Sequence, residues 1–320
     1  MAKLFTSDQL PATSADAIRV FDERYLAGVS VATPPDWTEQ FGDVFDVDSP
    51  IITFPIGLLT TKYQETSGEN RAQSMQERSF DVKVVEYDAG YEAKLLDLKT
   101  NVYAYKKWSE TSTRFLTAEK RHLNKQIVTL LEDANQKSPW DGEAFFSATH
   151  LADPSNPDSD LFSNYQSVAA DPSDITKIEA EVTAMRGVLD ENGDKLGVEP
   201  DTILLPTGKF QKVFNMLSQA LIVESGAGVS NPFLGKFNVV HVPELTGAND
   251  WYLVDSKMLR LQGLPPWGAL RYRPADTLGL RYFDESSDFF KNTGKLKVSS
   301  HLWYGFALIF PHAIRKIVGA

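Results

Sequence analysis

The feature that most constrains the fold is one long, uninterrupted segment with helical periodicity. No proline or glycine occurs from Thr100 to Gln136, and thirty residues of helix span about 45 Å, which is long for a compact domain in a chain of this size. Its apolar residues recur mostly three and four positions apart, the spacing of one buried face: Tyr105, Trp108, Phe115, Leu116, Leu123, Ile127, Leu130, Leu131 and Ala134. Charged residues break any sustained heptad, so we predict one buried face rather than a coiled coil.

Residues 1–50 are predicted to form an extended arm with one short helix. Ser14 and Asp16 are suitable capping residues for a helix that runs to about Leu26. The arm carries large apolar side chains without an obvious partner segment: Phe21, Tyr25, Leu26, Trp37, Phe41 and Phe45. Two alternatives stay open, because such an arm packs either on its own domain or on another molecule.

Residues 51–63 and 79–96 both have the character of strands. Phe80, Val82 and Val84 alternate with polar neighbours, which is the period-two pattern of a half-buried strand. The polar residues 64–78 lie between the two strands. We therefore predict a long hairpin that either folds back on its own body or reaches across to a neighbour.

The rest of the chain mixes helices and strands without regular alternation. A helix is predicted over about 174–189, a strand over Thr202–Leu205 and a helix to about Gln219. A flexible glycine-containing loop follows over 221–235. The later strand candidates are 236–242, 251–254, 270–273, 278–283, 296–303 and 306–310. This order of elements is typical of an α+β fold.

Composition excludes several classes of function. The chain has no cysteine, which rules out disulfide scaffolds, zinc–thiolate sites, iron–sulfur clusters and thiol nucleophiles. A net charge of −11 makes the chain a poor candidate for gripping nucleic acid, although it could enclose nucleic acid. The N-terminus lacks the apolar core of a signal peptide, and the longest apolar runs are too short to cross a bilayer. We expect a soluble protein that is made in the cytoplasm.

One loop contains residues that could carry chemistry. His150 lies near Asp141, Glu143 and Asp153, and such a group could bind a metal or act as acid and base. Acidic residues beside proline and serine are, however, ordinary turn residues. The favoured interpretation is a loop histidine with a local hydrogen bond.

A second acidic segment imitates a calcium loop only in part. Asp190, Asn192, Asp194 and Asp201 occupy ligand positions, but Lys195 stands where the loop needs glycine, and the last ligand is Asp rather than Glu. Nucleophile motifs and phosphate-binding glycine patterns are also absent from the sequence. We therefore expect no catalytic residue, no metal and no cofactor.

Several motifs, taken in order, resemble the major head (capsid) proteins of Mu-like tailed phages, the group of the Mu head protein T. The resemblance covers about residues 95–318, while the first ninety residues match only in layout. The motifs are WDGEAFFSATH (140–150), LGVEPDTILLP (196–206), NPFLGKFNVVHVPEL (231–245), WYLVD (251–255), RYRPADTLGLRYFDESSDFF (271–290) and WYGFAL (303–308). Each motif alone is weakly specific, but together and in register they are hard to obtain by chance.

The resemblance implies the HK97-type capsid fold and its division into parts. These parts are an N-terminal arm (1–50), an extended E-loop hairpin (51–94), a peripheral domain with a spine helix (95–139), an axial domain (140–265) and return strands of the peripheral domain (266–320). The implied function is a structural, non-enzymatic major capsid protein. It assembles with itself into hexamers and pentamers, which form an icosahedral shell around double-stranded DNA in the virion. A scaffold protein, a portal and a decoration protein are implied partners; a membrane is not.

The resemblance also implies two contact regions. The hairpin tip would lie over a neighbouring subunit and make contacts through Lys62, Glu65, Glu69, Arg71, Glu77 and Arg78. A loop near the capsomer axis would contain Ser225, Gly226, Gly228, Asn231 and Pro232. Two other functions stay open: an encapsulin-like shell that holds enzyme cargo, and a soluble hydrolase that uses His150.

Overall fold

The computed structural model describes residues 10–11, 13–30, 37, 44–47, 49, 51–56, 78–224, 227–247, 249–261, 267–272 and 280–319. The helices are α1 Ser14–Ser30, α2 Leu95–Thr100, α3 Val102–Glu132, α4 Ile175–Arg186, α5 Thr207–Ser218, α6 Ser256–Leu261 and α7 Asp288–Thr293. All strands, long and short, are numbered in chain order. The strands are β1 Val44–Val47, β2 Ile51–Ile56, β3 Arg78–Lys83, β4 Val85–Lys94, β5 His150–Leu151, β6 Leu161–Phe162, β7 Tyr165–Gln166, β8 Thr202–Leu205, β9 Leu221–Glu224, β10 Ala227–Ser230, β11 Asn238–His241, β12 Trp251–Val254, β13 Trp267–Tyr272, β14 Leu280–Phe283, β15 Lys295–Leu308 and β16 Ile314–Ile317.

The predicted long helix is present as α3, which has 31 residues. Asn101 begins it, because its side-chain oxygen accepts hydrogen bonds from the backbone N–H groups of Tyr103 and Ala104. Asp133 has extended backbone angles and ends it. At 1.5 Å per residue the helix is about 46 Å long, so one apolar face must be covered over that whole length.

The helix of the N-terminal arm covers the first half of α3. Phe21 of α1 is fully buried, and its ring centroid lies 5.4 Å from that of Trp108. The Trp108 indole Nε1 donates a hydrogen bond to the Ala17 carbonyl, 3.1 Å away. Of the two alternatives for the arm, this part therefore packs on its own chain.

The first sheet is built around β15. The strand order is β1-β13-β15-β14, and β4 also pairs with β15 over ten residues. The sequence predicted two strands here, 296–303 and 306–310, and this was wrong because Gly305 does not interrupt the ladder. A Cβ at Gly305 would come within 3.0 Å of the Lys83 carbonyl, so glycine lets the end of β3 cross β15 closely.

The second sheet has the order β11-β8-β12-β16-β7. Every residue of β8 and β12 is buried, because both faces of these strands are covered. We expected residues 266–320 to return together to the peripheral part of the fold. That division stays a prediction; in the structure, the turn at Pro311–Ala313 redirects the chain, and β16 pairs antiparallel with β12 in the second sheet.

Two hairpins complete the architecture. Strands β2 and β3 pair antiparallel from Ile51↔Lys83 to Ile56↔Arg78, in agreement with the hairpin expected from the sequence. The segment 221–235 was predicted as a flexible loop, but β9 and β10 pair antiparallel within it. The run Leu221–Val223 is apolar and contains two β-branched residues, Ile222 and Val223, so it favours a strand despite the neighbouring glycines.

Three buried clusters follow one another along the molecule. The first joins α1, α2 and the first half of α3 to β15. The second joins the last half of α3 to one face of the second sheet, and the third lies between the other face of that sheet and helices α4 and α5. Their largest fully buried side chains include Trp108, Leu98, Leu131, Tyr252, Ile178, Ile203 and Trp251.

A buried ion pair fixes β16 against α4. The Arg315 Nε donates to a Glu181 carboxylate oxygen at 2.7 Å, and both side chains are less than a tenth exposed. Arg315 Nη1 also donates to the Ser163 carbonyl, and Gln166 donates to the second Glu181 oxygen. Both charges are therefore paired and hydrogen-bonded, which is the condition under which buried charges are tolerated.

Another buried polar residue sits in the turn between the sheets. His312 stacks on Phe162 with ring centroids 4.3 Å apart and meets the Trp140 ring edge-on at 4.8 Å. Both of its ring nitrogens are buried without a hydrogen-bond partner. Burial and, to a smaller extent, the charge of His150 lower the pKa of His312, while Asp141 opposes them, and together they bring it to about 3. The neutral imidazole therefore serves here as an aromatic packing group.

Removing one partner of the buried ion pair should be costly. Arg315→Met leaves the Glu181 charge buried and unpaired, so we expect a loss of about 3–5 kcal/mol in the free energy of unfolding. Arg186→Met is the matched control, because its 2.7 Å pair with Glu199 is at least half exposed and should cost less than about 1 kcal/mol. Urea unfolding of the unassembled full chain measures both, and equal losses would contradict a special role for the buried pair.

Replacing His312 should make the protein less sensitive to acid. Because the folded-state pKa lies below the unfolded value near 6.5, the unfolded state takes up the proton first and stability falls as pH drops below 6.5. Between pH 7 and pH 5 this group should account for about 2 kcal/mol. We expect that part of the loss to disappear in His312→Leu but to remain in a His241→Leu control, as measured by urea unfolding at both pH values. An unchanged pH dependence in His312→Leu would contradict the assignment.

Candidate functional site

His150, the strongest candidate for chemistry in the sequence, lies inside the protein. Its Nδ1 is 2.7 Å from an Asp141 oxygen, and its Nε2 is 3.1 Å from the Phe145 carbonyl. The side chains of His150 and Asp141 are both fully buried. Since both ring nitrogens are engaged and neither side chain meets solvent, the pair has no free group to offer a substrate.

Asp141 holds the loop 138–151 together. Besides His150, it accepts backbone hydrogen bonds from Glu143 and Leu151. Burial acts to raise the pKa of Asp141, but the hydrogen bonds and the charge of His150 outweigh it and leave the pKa below its usual value. An ionised carboxylate that organises three donors explains why an aspartate, a glycine turn and a histidine occur together in this loop.

The other sequence candidates for catalysis or metal binding have local structural roles. The Asp153 carboxylate accepts hydrogen bonds from Ser155, and Glu143 is exposed. In the acidic turn, Asp190 accepts from the backbone of Asn192 and Asp194, whereas Asp201 accepts from Ser256. Among the residues that the structure describes, no group of three or more His, Cys, Asp or Glu is arranged to hold a metal ion.

No helix in the described ranges is both long enough and apolar enough to cross a membrane. The longest of them, α3, carries Glu110, Glu119 and Glu132 as well as six lysines and arginines. This charge content is typical of a helix with one face in water.

The predicted contacts of the hairpin tip fall mostly outside the described residues. These are Lys62, Glu65, Glu69, Arg71 and Glu77. Arg78 begins β3, where its backbone pairs with Ile56. The structure thus describes the base of the hairpin, and the role of its tip stays a prediction.

The predicted axis loop is attached to the end of α5. Asn231 is buried, and its side-chain Nδ2 donates to the carbonyls of Met216, Leu217 and Gln219. These carbonyls lie at the C-terminal end of the helix, where the last C=O groups have no partner in the regular helical ladder, and that of Met216 also accepts from the Gln219 N–H. Gly228 lies in β10 and Pro232 is exposed, whereas Ser225 and Gly226 lie outside the described residues. Asn231 therefore anchors the β9–β10 hairpin to a rigid helix.

Exposed apolar side chains mark surfaces that the sequence analysis did not identify. Phe214 on α5, Leu221 at the start of β9 and Leu234 just after the hairpin are 44%, 64% and 49% exposed. Leu96 and Tyr103, near the start of α3, are 70% and 82% exposed. The sequence does carry a signal for the second surface, because Tyr103 is a large aromatic residue at a helical position outside the apolar face of α3. Groups of this kind beside an anchored hairpin are typical of surfaces that another protein covers.

The comparison with known families agrees with this architecture. Residues 97–317 match the model of a family described as phage capsid protein. The match begins in α2 and ends with β16, so it contains the long helix, the second sheet and strands β13, β14 and β15 of the first sheet. No curated protein matches the chain.

Solved capsid structures have the same fold. The capsid structure of the cyanophage P-SCSP1u matches with a TM-score of 0.53 and 9% identity, covering 91% of this chain and 91% of that one. The bacteriophage JBD30 capsid matches with a TM-score of 0.52 and 16% identity, covering 68% of this chain and 93% of that one. The procapsid of bacteriophage JBD30 matches with a TM-score of 0.51 and 12% identity, covering 96% of this chain and 75% of that one.

The family match covers more than half of the chain, and the HK97-type arrangement of long helix, hairpin and two sheets accounts for its described residues. The chain belongs to the phage capsid protein family and is a structural subunit of a capsid shell.

Proposed function

We propose that this chain is the major capsid protein of a tailed phage, assembling into hexamers and pentamers of a closed icosahedral shell around double-stranded DNA, and that it catalyses no reaction. The family match over residues 97–317 carries the proposal. The buried, fully bonded His150–Asp141 pair supports a structural role over the hydrolase alternative, since it offers no accessible reactive group.

The proposed parts of the subunit follow the sequence boundaries, with one change. Residues 1–50 are the arm, 51–94 the E-loop hairpin, 95–139 the peripheral domain with the spine helix α3, and 140–265 the axial domain. The closing strands β13, β14 and β15 belong with the peripheral domain. Because β16 pairs with β12, we place it in the axial domain instead.

The β9–β10 hairpin is proposed to face the capsomer axis. Its anchor, Asn231, ties it to α5, and Phe214, Leu221 and Leu234 present apolar surface around its base. In a ring of identical subunits one such surface meets its neighbour's in every interface, so a modest contact is repeated throughout the closed lattice. The hairpin tip, with Lys62 to Arg78, is proposed to lie over the next subunit.

Further partners belong to the proposal. A portal, a scaffold protein and a decoration protein are expected by analogy with tailed phages, with synthesis and assembly in the cytoplasm of the bacterial host. An encapsulin-like shell with enzyme cargo is the second candidate. The Mu-like motifs favour the phage, and nuclease-protected DNA rather than cargo protein in purified particles separates the two.

Deleting the hairpin tip should abolish stable shells. We expect the purified full chain to form closed shells tens of nanometres across in negative-stain microscopy, alone or with its neighbouring gene products. Deletion of residues 64–76 should leave a folded subunit whose shells fail to form, because the tip's contacts with a neighbour are lost. Replacement of the same residues by a Gly/Ser segment of equal length tests the side chains alone. Normal shells from the deletion would reject the hairpin assignment, and wild-type protein that stays monomeric under all conditions would reject the shell.

A charge on the apolar surface near the axis hairpin should also block assembly. Leu221 is 64% exposed in the subunit, so Leu221→Asp should change the unfolding free energy by less than about 0.5 kcal/mol. Burying that charge in an interface should raise the concentration needed for assembly by at least about tenfold. Thr183→Asp, an exposed position on α4, adds the same charge as a control. Light scattering during assembly measures both, and equal behaviour of the two variants would show that Leu221 lies outside any interface.

A further inference from the structure

The long helix α3 has an unusual charge for this chain. It carries six lysines and arginines against three glutamates, whereas the whole chain has a net charge of −11. Its three acids are already engaged: Glu110 pairs with Lys106, Glu119 accepts from the Tyr304 hydroxyl, and Glu132 accepts from Thr246 and Gly247. Six cations against three carboxylates leave the helix with an excess of three positive charges.

Three of the cationic residues form a row along one exposed stripe. Arg114, Arg121 and Lys125 are exposed, and their side chains make no hydrogen bond or ion pair with the residues that the structure describes. At 100° per residue they lie within about 40° of one another around the helix axis, and they extend over about 16 Å along it. We call these three residues the basic row.

The basic row borders a cavity of about 750 Å³ whose described lining is Arg114, Thr117, Ala118, Arg121, His122 and Lys125. His122 lies against the Tyr87 ring, with centroids 4.2 Å apart, and its Nε2 is buried without a partner. The lining thus combines unpaired cations with hydroxyl and imidazole groups and contains no carboxylate among the described residues. The three cations of this described part favour an anion that extends along the helix.

We propose that the basic row binds the phosphate backbone of the DNA that the shell encloses, an inference that rests on the proposed function. Along 16 Å, duplex DNA presents roughly nine phosphate charges, so a straight row of three cations can contact several at once without reading bases. A subunit of net charge −11 repels DNA overall, and one local row of this kind per subunit lets the shell contact its contents. Acidic segments of a neighbouring copy are the competing occupant.

The test compares two triple variants of the full chain in the unassembled state. The first carries Arg114→Gln, Arg121→Gln and Lys125→Gln. The control carries Lys177→Gln, Lys212→Gln and Lys257→Gln, three exposed positions that give the same change in net charge. Binding of a fluorescent 30-base-pair duplex is followed by anisotropy between 50 and 200 mM NaCl, and circular dichroism checks that both variants are folded.

Three phosphate contacts contribute about 2.7 to the salt slope, which corresponds to about a 40-fold change in affinity over this range of salt. We expect the row variant to lose this contribution and the control to keep it. Equal slopes in wild type and row variant, or an equal loss in the control, would overturn the proposal.

Assembly of the same proteins separates this inference from the proposed function. Row-variant subunits should still form shells in negative-stain microscopy, and those shells should retain less DNA than control shells. Failure of the row variant alone to assemble, with its salt slope unchanged, would show that the row receives an acidic segment of another copy. If wild-type subunits bind the duplex through the basic row but never form shells, the proposed shell function is rejected and the proposal that the basic row binds phosphate is kept.

Discussion

The structure depends on covering the apolar face of α3 along its whole length. That face is about 46 Å long, and different parts of the described structure cover its two halves. Helices α1 and α2 and strand β15 bury Trp108 and the first half of the helix, while the second sheet buries Leu131 and the last half. The Tyr252 hydroxyl, which donates to the Leu131 carbonyl at 3.3 Å, joins that sheet to the helix end. The helix thus serves as a common support for both parts, which also meet each other in the cluster that contains Val82, Leu308 and Tyr252.

The segment from β15 to β16 makes the second connection between these parts. It pairs with three strands in the first sheet, turns at Pro311–Ala313, and pairs with β12 and β7 in the second. Two buried polar residues lie within this passage: His312 is neutral and packs by its ring, whereas Arg315 is charged and fully paired with Glu181. The two residues differ because a buried guanidinium stays protonated and so needs a charged partner, whereas a buried imidazole can lose its proton and become neutral.

The sequence predicted most elements whose signal is local. The strands Thr202–Leu205 and 251–254 were predicted at their observed bounds, because short apolar runs are limited by proline and aspartate, and the long helix was predicted because nothing interrupts its period. The continuous strand β15 was missed because its length depends on pairing with strands that are distant in the sequence. The hairpin at 221–230 was missed because the glycines in this segment favoured a loop. The resemblance to phage head proteins predicted the family. The buried His150–Asp141 pair agrees with the favoured structural interpretation, but its complete burial was not visible in residue types alone.

The structure of one chain explains the residues that stabilise its fold better than those that we expect to act in assembly. Phe21 or Trp251 has its partner within the chain, so its burial explains why it is apolar. Leu221 and Tyr103 are equally apolar and largely exposed, and Arg114 and Arg121 are charged without a described counter-ion. Single surface groups of this kind contribute little energy, and an isolated monomer gains nothing from them. In a lattice of identical subunits each contact recurs with every copy, so selection can act on interactions that are too weak to matter in one subunit.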